Sequence, residues 1–204
     1  VKGQSSGNVA TVNENMHFLV AYYCSSASGA VENFSVELTA DDGKVYAYKV
    51  NNPPTGAWQW LSSNGQKRVK LTEFVSKEDG TTKLAVGRQI YKITFTQTTA
   101  STESQYFCVD SIIITDETDT QKPNKIQKLV ALKQNGELVL NWELPGDNRA
   151  VAGYNVYRGL DPTNLEYIAT VTTRSYQDTD IELGKTYYYA VSAFDFFDNV
   201  ADKS

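Results

Sequence analysis

The chain has 204 residues, 41% of them apolar and 21% charged, with a net charge of −5. That is enough apolar material for a packed core in one or two domains, and the acidic balance argues against a nucleic-acid face, which needs clustered cations. A single His, two Cys and one Met leave little for transition metals, haem or histidine relays, and no apolar run approaches the roughly 20 residues that cross a bilayer.

Thirteen tyrosines and three tryptophans beside many Thr, Ser, Val and Asn give the composition of a β-rich, often secreted, protein. The sequence starts at Val1 without an initiator Met, a basic n-region or an apolar h-region, and so reads as a piece of something longer.

Period-two alternation predicts strands almost throughout. Phe18, Val20 and Tyr22 alternate with Leu19, Ala21 and Tyr23, and Phe34, Val36 and Leu38 alternate with polar residues. The next strand, 45–50, follows Asp41-Asp42-Gly43, a turn signal because glycine takes positive φ without steric cost. Further strands are expected at 57–61, 68–74, 89–96 and 105–115. Asn51-Asn52-Pro53-Pro54, Ser63-Asn64-Gly65 and Glu78-Asp79-Gly80 separate them. No segment carries the helical period for more than one or two turns. Short strands with regular punctuation predict a sandwich or jelly roll.

The segment 116–124 (DETDTQKPN) has no large apolar residue and breaks this pattern, as a linker does. A second strand series follows at 126–133, 137–142, 153–158, 167–171 and 186–195. The expected organisation is a first module at 1–117, a linker at 118–124 and a second module at 125–204.

In the second module, Leu138-Val139-Leu140-Asn141-Trp142, then Gly153-Tyr154-Asn155-Val156-Tyr157-Arg158, then the run from Tyr187 to Asp195 resemble a fibronectin type III domain. The resemblance implies an immunoglobulin-like sandwich with Trp142 between its sheets and Tyr187 as the corner tyrosine whose hydroxyl bonds backward. The family's Arg-Gly-Asp loop is absent, since Arg158-Gly159 continues as Leu160-Asp161. Such a module is expected to be a spacer. Phe194, Phe196 and Phe197 form an aromatic cluster expected to be partly exposed, as a contact for another domain.

In the first module, Gly3-Gln4-Ser5-Ser6, the strand Phe18 to Cys24, Ala57-Trp58-Gln59-Trp60-Leu61, Val69 to Phe74 and the closing run Cys108 to Asp116 resemble the galactose-binding-like jelly roll of carbohydrate-binding modules. They are most similar to the β-sandwich that follows the barrel in endo-β-N-acetylglucosaminidases, where a fibronectin-like domain can follow in turn. The family's first strand before the G-x-S-S segment is missing here. The implied fold is all-β, a jelly roll followed by a fibronectin type III sandwich.

The resemblance implies a glycan as partner. Sugars are held by stacking their C–H faces on open aromatic planes and by hydrogen-bonding their hydroxyls. Trp58 and Trp60 lie two apart on a strand and share a face. If that face is the core they are packing residues; otherwise Trp60, nearer the loop, is the better stacking platform. Tyr48 (with Tyr46 on one strand face) and the polar Asn52, Asn64 and Arg88 complete the candidate set, with Asn51 and Glu32 beside them. Turn formation by the Asn residues and solvation of the charges are the competing readings.

Modules of this kind also carry a structural Ca²⁺, which wants six to eight oxygens. Asp41 and Asp110 are the acids available for it, although Asp-Asp-Gly is more often simply a turn. No other cofactor is expected. Cys24 and Cys108 fall on strands expected to be neighbours, compatible either with a disulfide or with two thiols.

Catalysis within this chain is not expected. His17, the lone histidine, has no G-x-S-x-G elbow beside it, and H-E-x-x-H, C-x-x-C and phosphate-loop motifs are absent. The carboxylate pairs Asp41/Asp42, Glu78/Asp79 and Asp116/Glu117 fall in turns or the linker, where water keeps an acid ordinary. The expected function is therefore a non-catalytic, glycan-binding accessory region of a larger secreted, bacterial glycoside hydrolase, joined to its catalytic domain. The alternative is a pair of sandwiches that braces that domain without touching sugar.

Overall fold

The computed structural model describes residues 8–25, 31–100, 105–134 and 137–204; the Gly3-Gln4-Ser5-Ser6 segment lies outside them. The chain divides into two compact units, 1–117 and 118–204. Both are all-β, and among the described residues no helix is long and apolar enough to cross a membrane.

The first unit contains β1 (Ala10–Thr11), β2 (His17–Cys24), β3 (Val31–Ala40), β4 (Val45–Asn51), β5 (Trp58–Trp60), β6 (Val69–Lys70), β7 (Val75–Ser76), β8 (Gln89–Thr99) and β9 (Phe107–Thr115). They form a five-stranded sheet, β1-β8-β3-β4-β7, and a four-stranded sheet in which β2 has β5 and β6 along one edge and β9 along the other. Alternation does the sorting. Phe18, Val20, Tyr22 and Cys24 of β2 meet Phe34, Val36 and Leu38 of β3 in one buried core, with Tyr22 stacked on Phe34 at 4.3 Å.

Strand β9 keeps this alternation only by means of a bulge. Its first half pairs Cys108 with Tyr23 and Asp110 with Ala21; its second half pairs Ile113 with Leu19 and Ile114 with Phe18, one residue out of step. Ser111 takes φ 56° at the break. Phe107, Val109 and Ile114 all reach the core as a result.

The span 68–74, expected as one strand, is strand only over β6, after which Leu71–Glu73 forms a 3-10 turn. Glu73 explains the stop: its carboxylate takes the Lys70 N–H at 3.3 Å and the Ser63 hydroxyl, closing a turn where a ladder would have continued.

The second unit contains β10 (Val130–Gln134), β11 (Glu137–Asn141), β12 (Val151–Asp161), β13 (Asn164–Val171), β14 (Ser175–Asp178) and β15 (Tyr188–Asp195). Two three-stranded sheets, β10-β11-β14 and β13-β12-β15, give the expected immunoglobulin-like sandwich. Trp142 is buried among Ile126, Leu140, Val156 and Val191, with its indole edge-on to Tyr154 at 5.3 Å. The Tyr187 hydroxyl accepts the Glu182 N–H at 3.1 Å, pinning the turn before β15. Residues 200–204 run back along β15, with Ala201 N–H donating to Ala193 O at 2.8 Å.

Residues 118–124 belong to this second unit. Asp119 and Pro123 are buried, and the Asn124 N–H donates to Gly146 O at 2.9 Å. Polarity conceals this burial in the sequence, because the segment docks through backbone and carboxylate hydrogen bonds. The expected exposed Phe cluster is also corrected. Phe194 and Phe196 are 4% and 1% exposed, and Phe197 is half-buried. Gly153 makes the room, since a Cβ there would lie 2.6 Å from the Phe194 ring.

Arg158 has a structural task. Its Nη1 donates to both Asp178 oxygens at 3.0 Å and its Nη2 to Asp180 at 3.1 Å, while Tyr189 OH donates to Asp178 at 2.8 Å. Asp178 is only 1% exposed. Arg158→Leu therefore strands a buried carboxylate and should cost about 3–5 kcal/mol, seen as an earlier urea transition of the second unit, with Arg158→Leu/Asp178→Leu recovering part of the loss.

His17 opens β2 between Lys70 and Thr115. Desolvation, then Arg68 and Lys70, hold its imidazole below the usual 6.5, against the opposing pull of Asn15 and Glu73. The unfolded chain thus takes up this proton first, so the contribution is intact above pH 6.5 and is lost as pH falls towards the folded-state value. Urea midpoints measured from pH 7.5 to 5 should decline in that window, and His17→Gln should flatten the decline.

Candidate functional site

Strand β5 lies against β2 with Trp60 opposite Ala21, Gln59 opposite Tyr22 and Trp58 opposite Tyr23. Tyr22 belongs to the core. Gln59 therefore faces inward, and both indoles face outward on the far side of the four-stranded sheet. Neither Trp58 nor Trp60 is buried.

The same parity brings other groups to that face. Cys108 lies opposite Tyr23, and Asp110 opposite Ala21. Tyr106, just before β9, is 59% exposed and stacks on Tyr23 at 6.0 Å and 23°. Tyr23 in turn meets Trp58 at 6.0 Å and 53°. The result is an aromatic row, Tyr106–Tyr23–Trp58, with Trp60 one step along β5. Desolvation, then the neighbouring Tyr106, keep the Tyr23 phenol above its ordinary range.

Polar groups flank the row. The Asp110 side chain is exposed and accepts the Ser111 N–H at 2.7 Å, and Lys67 Nζ stands 5.9 Å from the centre of the Trp60 ring. Chemically this is a shallow stacking surface with a carboxylate and an ammonium at its margin. Such a surface suits a ligand with an apolar flat side and hydroxyl edges.

The other candidates are elsewhere or otherwise engaged. Tyr48, on β4 of the opposite sheet, packs against the core, contacts Phe74 at 5.8 Å and donates its hydroxyl to Ser62 O at 3.0 Å. It is a packing residue, because its strand parity points it inward. Asn52 (φ 48°) and Asn64 (φ 50°) both adopt the left-handed turn conformation, and both are exposed. Arg88, just before β8, pairs with Asp41 and Asp42 of the β3–β4 turn at 3.5 Å each.

Asp41 and Asp110, the acids named as available for calcium, are not brought together: the first sits in the β3–β4 turn and the second on the outer face of the other sheet. Among the described residues, the one group of three carboxylates able to hold a metal is Asp119, Asp147 and Asp195 in the second unit, which sequence reading did not single out. It also missed Tyr23 and Tyr106. Their membership of the row follows from register, and the only linear hint was that Tyr23 alternates out of the Phe18–Val20–Tyr22 series.

No family profile matches the chain. It is 29% identical over 145 residues to an amylopullulanase of Thermoanaerobacterium saccharolyticum, covering 70% of this chain and 11% of that protein. It is 37% identical over 68 residues to exoglucanase B of Cellulomonas fimi, covering 33% of this chain and 6% of that protein. The chain thus spans a small part of the curated relatives it matches. Similar solved structures include a Fn3-like protein from Clostridium thermocellum (TM-score 0.33, 26% identity, 41% of this chain and 86% of that one). Pectate lyase PelI from Erwinia chrysanthemi (0.30, 27%, 37% and 26%) and a β-1,2-glucanase from Parabacteroides distasonis (0.35, 15%, 92% and 26%) are further examples.

The cysteines are unbridged: Cys24 is buried and Cys108 exposed. Cys24 pairs with Phe107 and Cys108 with Tyr23, so the two thiols leave the sheet on opposite faces, and of the two readings open in the sequence the structure holds free thiols. Burial pushes the Cys24 thiol up to about 11. Iodoacetamide at pH 8 should therefore add one carbamidomethyl group to the folded chain, at Cys108, and a second only in urea, as mass spectrometry of the tryptic peptides will report.

Proposed function

We propose that this chain is a non-catalytic accessory region of a larger glycoside hydrolase, in which the first unit holds carbohydrate on the outer face of its four-stranded sheet. The observation that carries this reading is the row Tyr106–Tyr23–Trp58 with Trp60 beside it, turned away from the core. Tyr23, Trp58 and Trp60 are half-buried and Tyr106 is exposed, so ring surface on this face stays open to a ligand. Hexose rings stacked along it would lose little by leaving water on their C–H faces, while Asp110 and Lys67 are placed to take hydroxyls.

The similarity to an amylopullulanase and an exoglucanase supports the same reading, because both names belong to enzymes that cut glucans. The second unit serves as a spacer between this surface and a catalytic domain. An extracellular setting in a bacterium goes with a polymeric substrate. An N-glycan-cutting parent of the endo-β-N-acetylglucosaminidase type remains the finer proposal, and α- and β-glucans are the competing ligands. The bracing alternative expects an exposed apolar patch at Phe194–Phe197, whereas Phe194 and Phe196 are interior, which favours the sugar-holding reading.

Isothermal titration of the chain with maltoheptaose, cellohexaose and a high-mannose N-glycan tests the reading. Binding of one of these is expected, with Trp58→Ala, Trp60→Ala or Tyr106→Ala each weakening it about tenfold, equivalent to about 1.4 kcal/mol. These residues are outside the core, so circular dichroism should be unchanged. Absence of heat with all three ligands at millimolar concentration would refute a sugar-holding role for this face.

A further inference from the structure

We propose that the second unit carries a calcium site built by Asp119, Asp147 and Asp195. These residues come from three distant places in the chain: the segment that enters the unit, the loop between β11 and β12, and the last position of β15. One carboxylate oxygen from each lies within 4.8 Å of the others. Asp195 is fully buried and Asp119 is 7% exposed.

Three acids brought this close, two of them out of water, repel one another unless a cation or a shared proton lies between them. None of the three has an ion-pair partner among the described residues; the unit's pairs are Lys122–Asp202, Lys128–Glu143, Arg158–Asp178, Arg158–Asp180 and Lys185–Glu182.

The hydrogen bonds show which oxygens remain available. Asp119 Oδ1 accepts the Gln121 N–H at 2.9 Å and Asn148 Nδ2 at 3.1 Å, which fixes the carboxylate. Asp119 Oδ2 is buried and has no hydrogen-bond partner among the described residues. Asp147 Oδ1 is likewise buried and unpartnered. Asp195 is held by the N–H groups of Phe197 and Asn199, and by Asn199 Nδ2, at 2.7–2.9 Å. Asn199 Nδ2 also reaches Asp119 O at 3.0 Å, tying two of the acids together. Buried oxygens without a donor, rigidly held and all anionic, are what a hard divalent cation replaces water with.

The donor set selects the ion. It contains oxygen only, with no Cys or His, which disfavours Zn²⁺ and Cu²⁺. Three carboxylates, each able to bind through one or both oxygens, with backbone carbonyls and water, suit the six to eight ligands of Ca²⁺ better than the rigid octahedron of Mg²⁺. The bound ion would fasten the entering segment to the β11–β12 loop and to the end of β15.

The test is calorimetric titration of the EGTA-stripped chain with CaCl₂, together with thermal unfolding in CaCl₂ and in EGTA. One Ca²⁺ per chain is expected, with the midpoint of the second unit raised by about 5 °C or more. Asp147→Asn and Asp119→Asn keep the side-chain shape, so both variants should fold; each should weaken Ca²⁺ binding at least about tenfold and abolish the shift. Asp41→Asn and Asp110→Asn should bind as the parent does. Absence of binding at millimolar CaCl₂, wild-type affinity in Asp147→Asn, or loss of binding in Asp41→Asn would each overturn the proposal.

Discussion

Strand β2 is hydrogen-bonded on both edges, and its alternation governs the first unit. Phe18, Val20, Tyr22 and Cys24 must enter the core, because the opposing Phe34, Val36 and Leu38 offer them apolar surface. Ala21 and Tyr23 are thereby sent outward. Every partner registered against them follows: Trp60, Trp58, Cys108 and Asp110. A slip of one residue would exchange the two faces, so core burial and the outward aromatic row are one constraint seen from opposite sides.

Much of this was legible in the sequence, and the reason is periodicity. Alternation located β2, β3, β4, β8 and β9, and it showed that Trp58 and Trp60 share a face. It could not say which face, because that depends on which neighbour lies opposite, and register is a property of the sheet. Tyr48 shares the inward parity of Tyr46 and Val50, which pack on the core, while Lys49 and Asn51 face out; only the opposing sheet, with Phe74, shows that this face is the buried one. Strand β14 escaped notice because Ser175-Tyr176-Gln177-Asp178 carries a single apolar residue; its place is fixed by the ladder to β11 and by Asp178 receiving Arg158 and Tyr189.

The second unit was readable where hydrophobic burial dominates and opaque where polar groups do the work. Trp142, Tyr154 and Val156 announced themselves. The segment 118–124 did not, since a run of acids and amides without a large apolar residue looks like solvated chain. Its docking is directional, through Asp119, Asn124 and Asn199. Carboxylates at 119, 147 and 195 are too widely spaced for any linear motif, and only folding collects them. The Phe194–Phe197 cluster failed in the opposite sense: three large rings near the end of a strand invite an exposed reading, but Gly153 leaves a hollow for Phe194.

Ser111 adds one residue to β9 without lengthening the strand it pairs with. Ahead of it, the odd positions Phe107 and Val109 turn to the interior; behind it, the even position Ile114 does. The strand thereby changes phase halfway along, and a chain that would otherwise have to choose between anchoring Ile114 and presenting Tyr106 does both. Remodelling of the outer surface is thus uncoupled from the inner packing at that point, so the segment ahead of Ser111 can exchange its outward side chains for a different ligand while the stretch behind it goes on closing the sandwich.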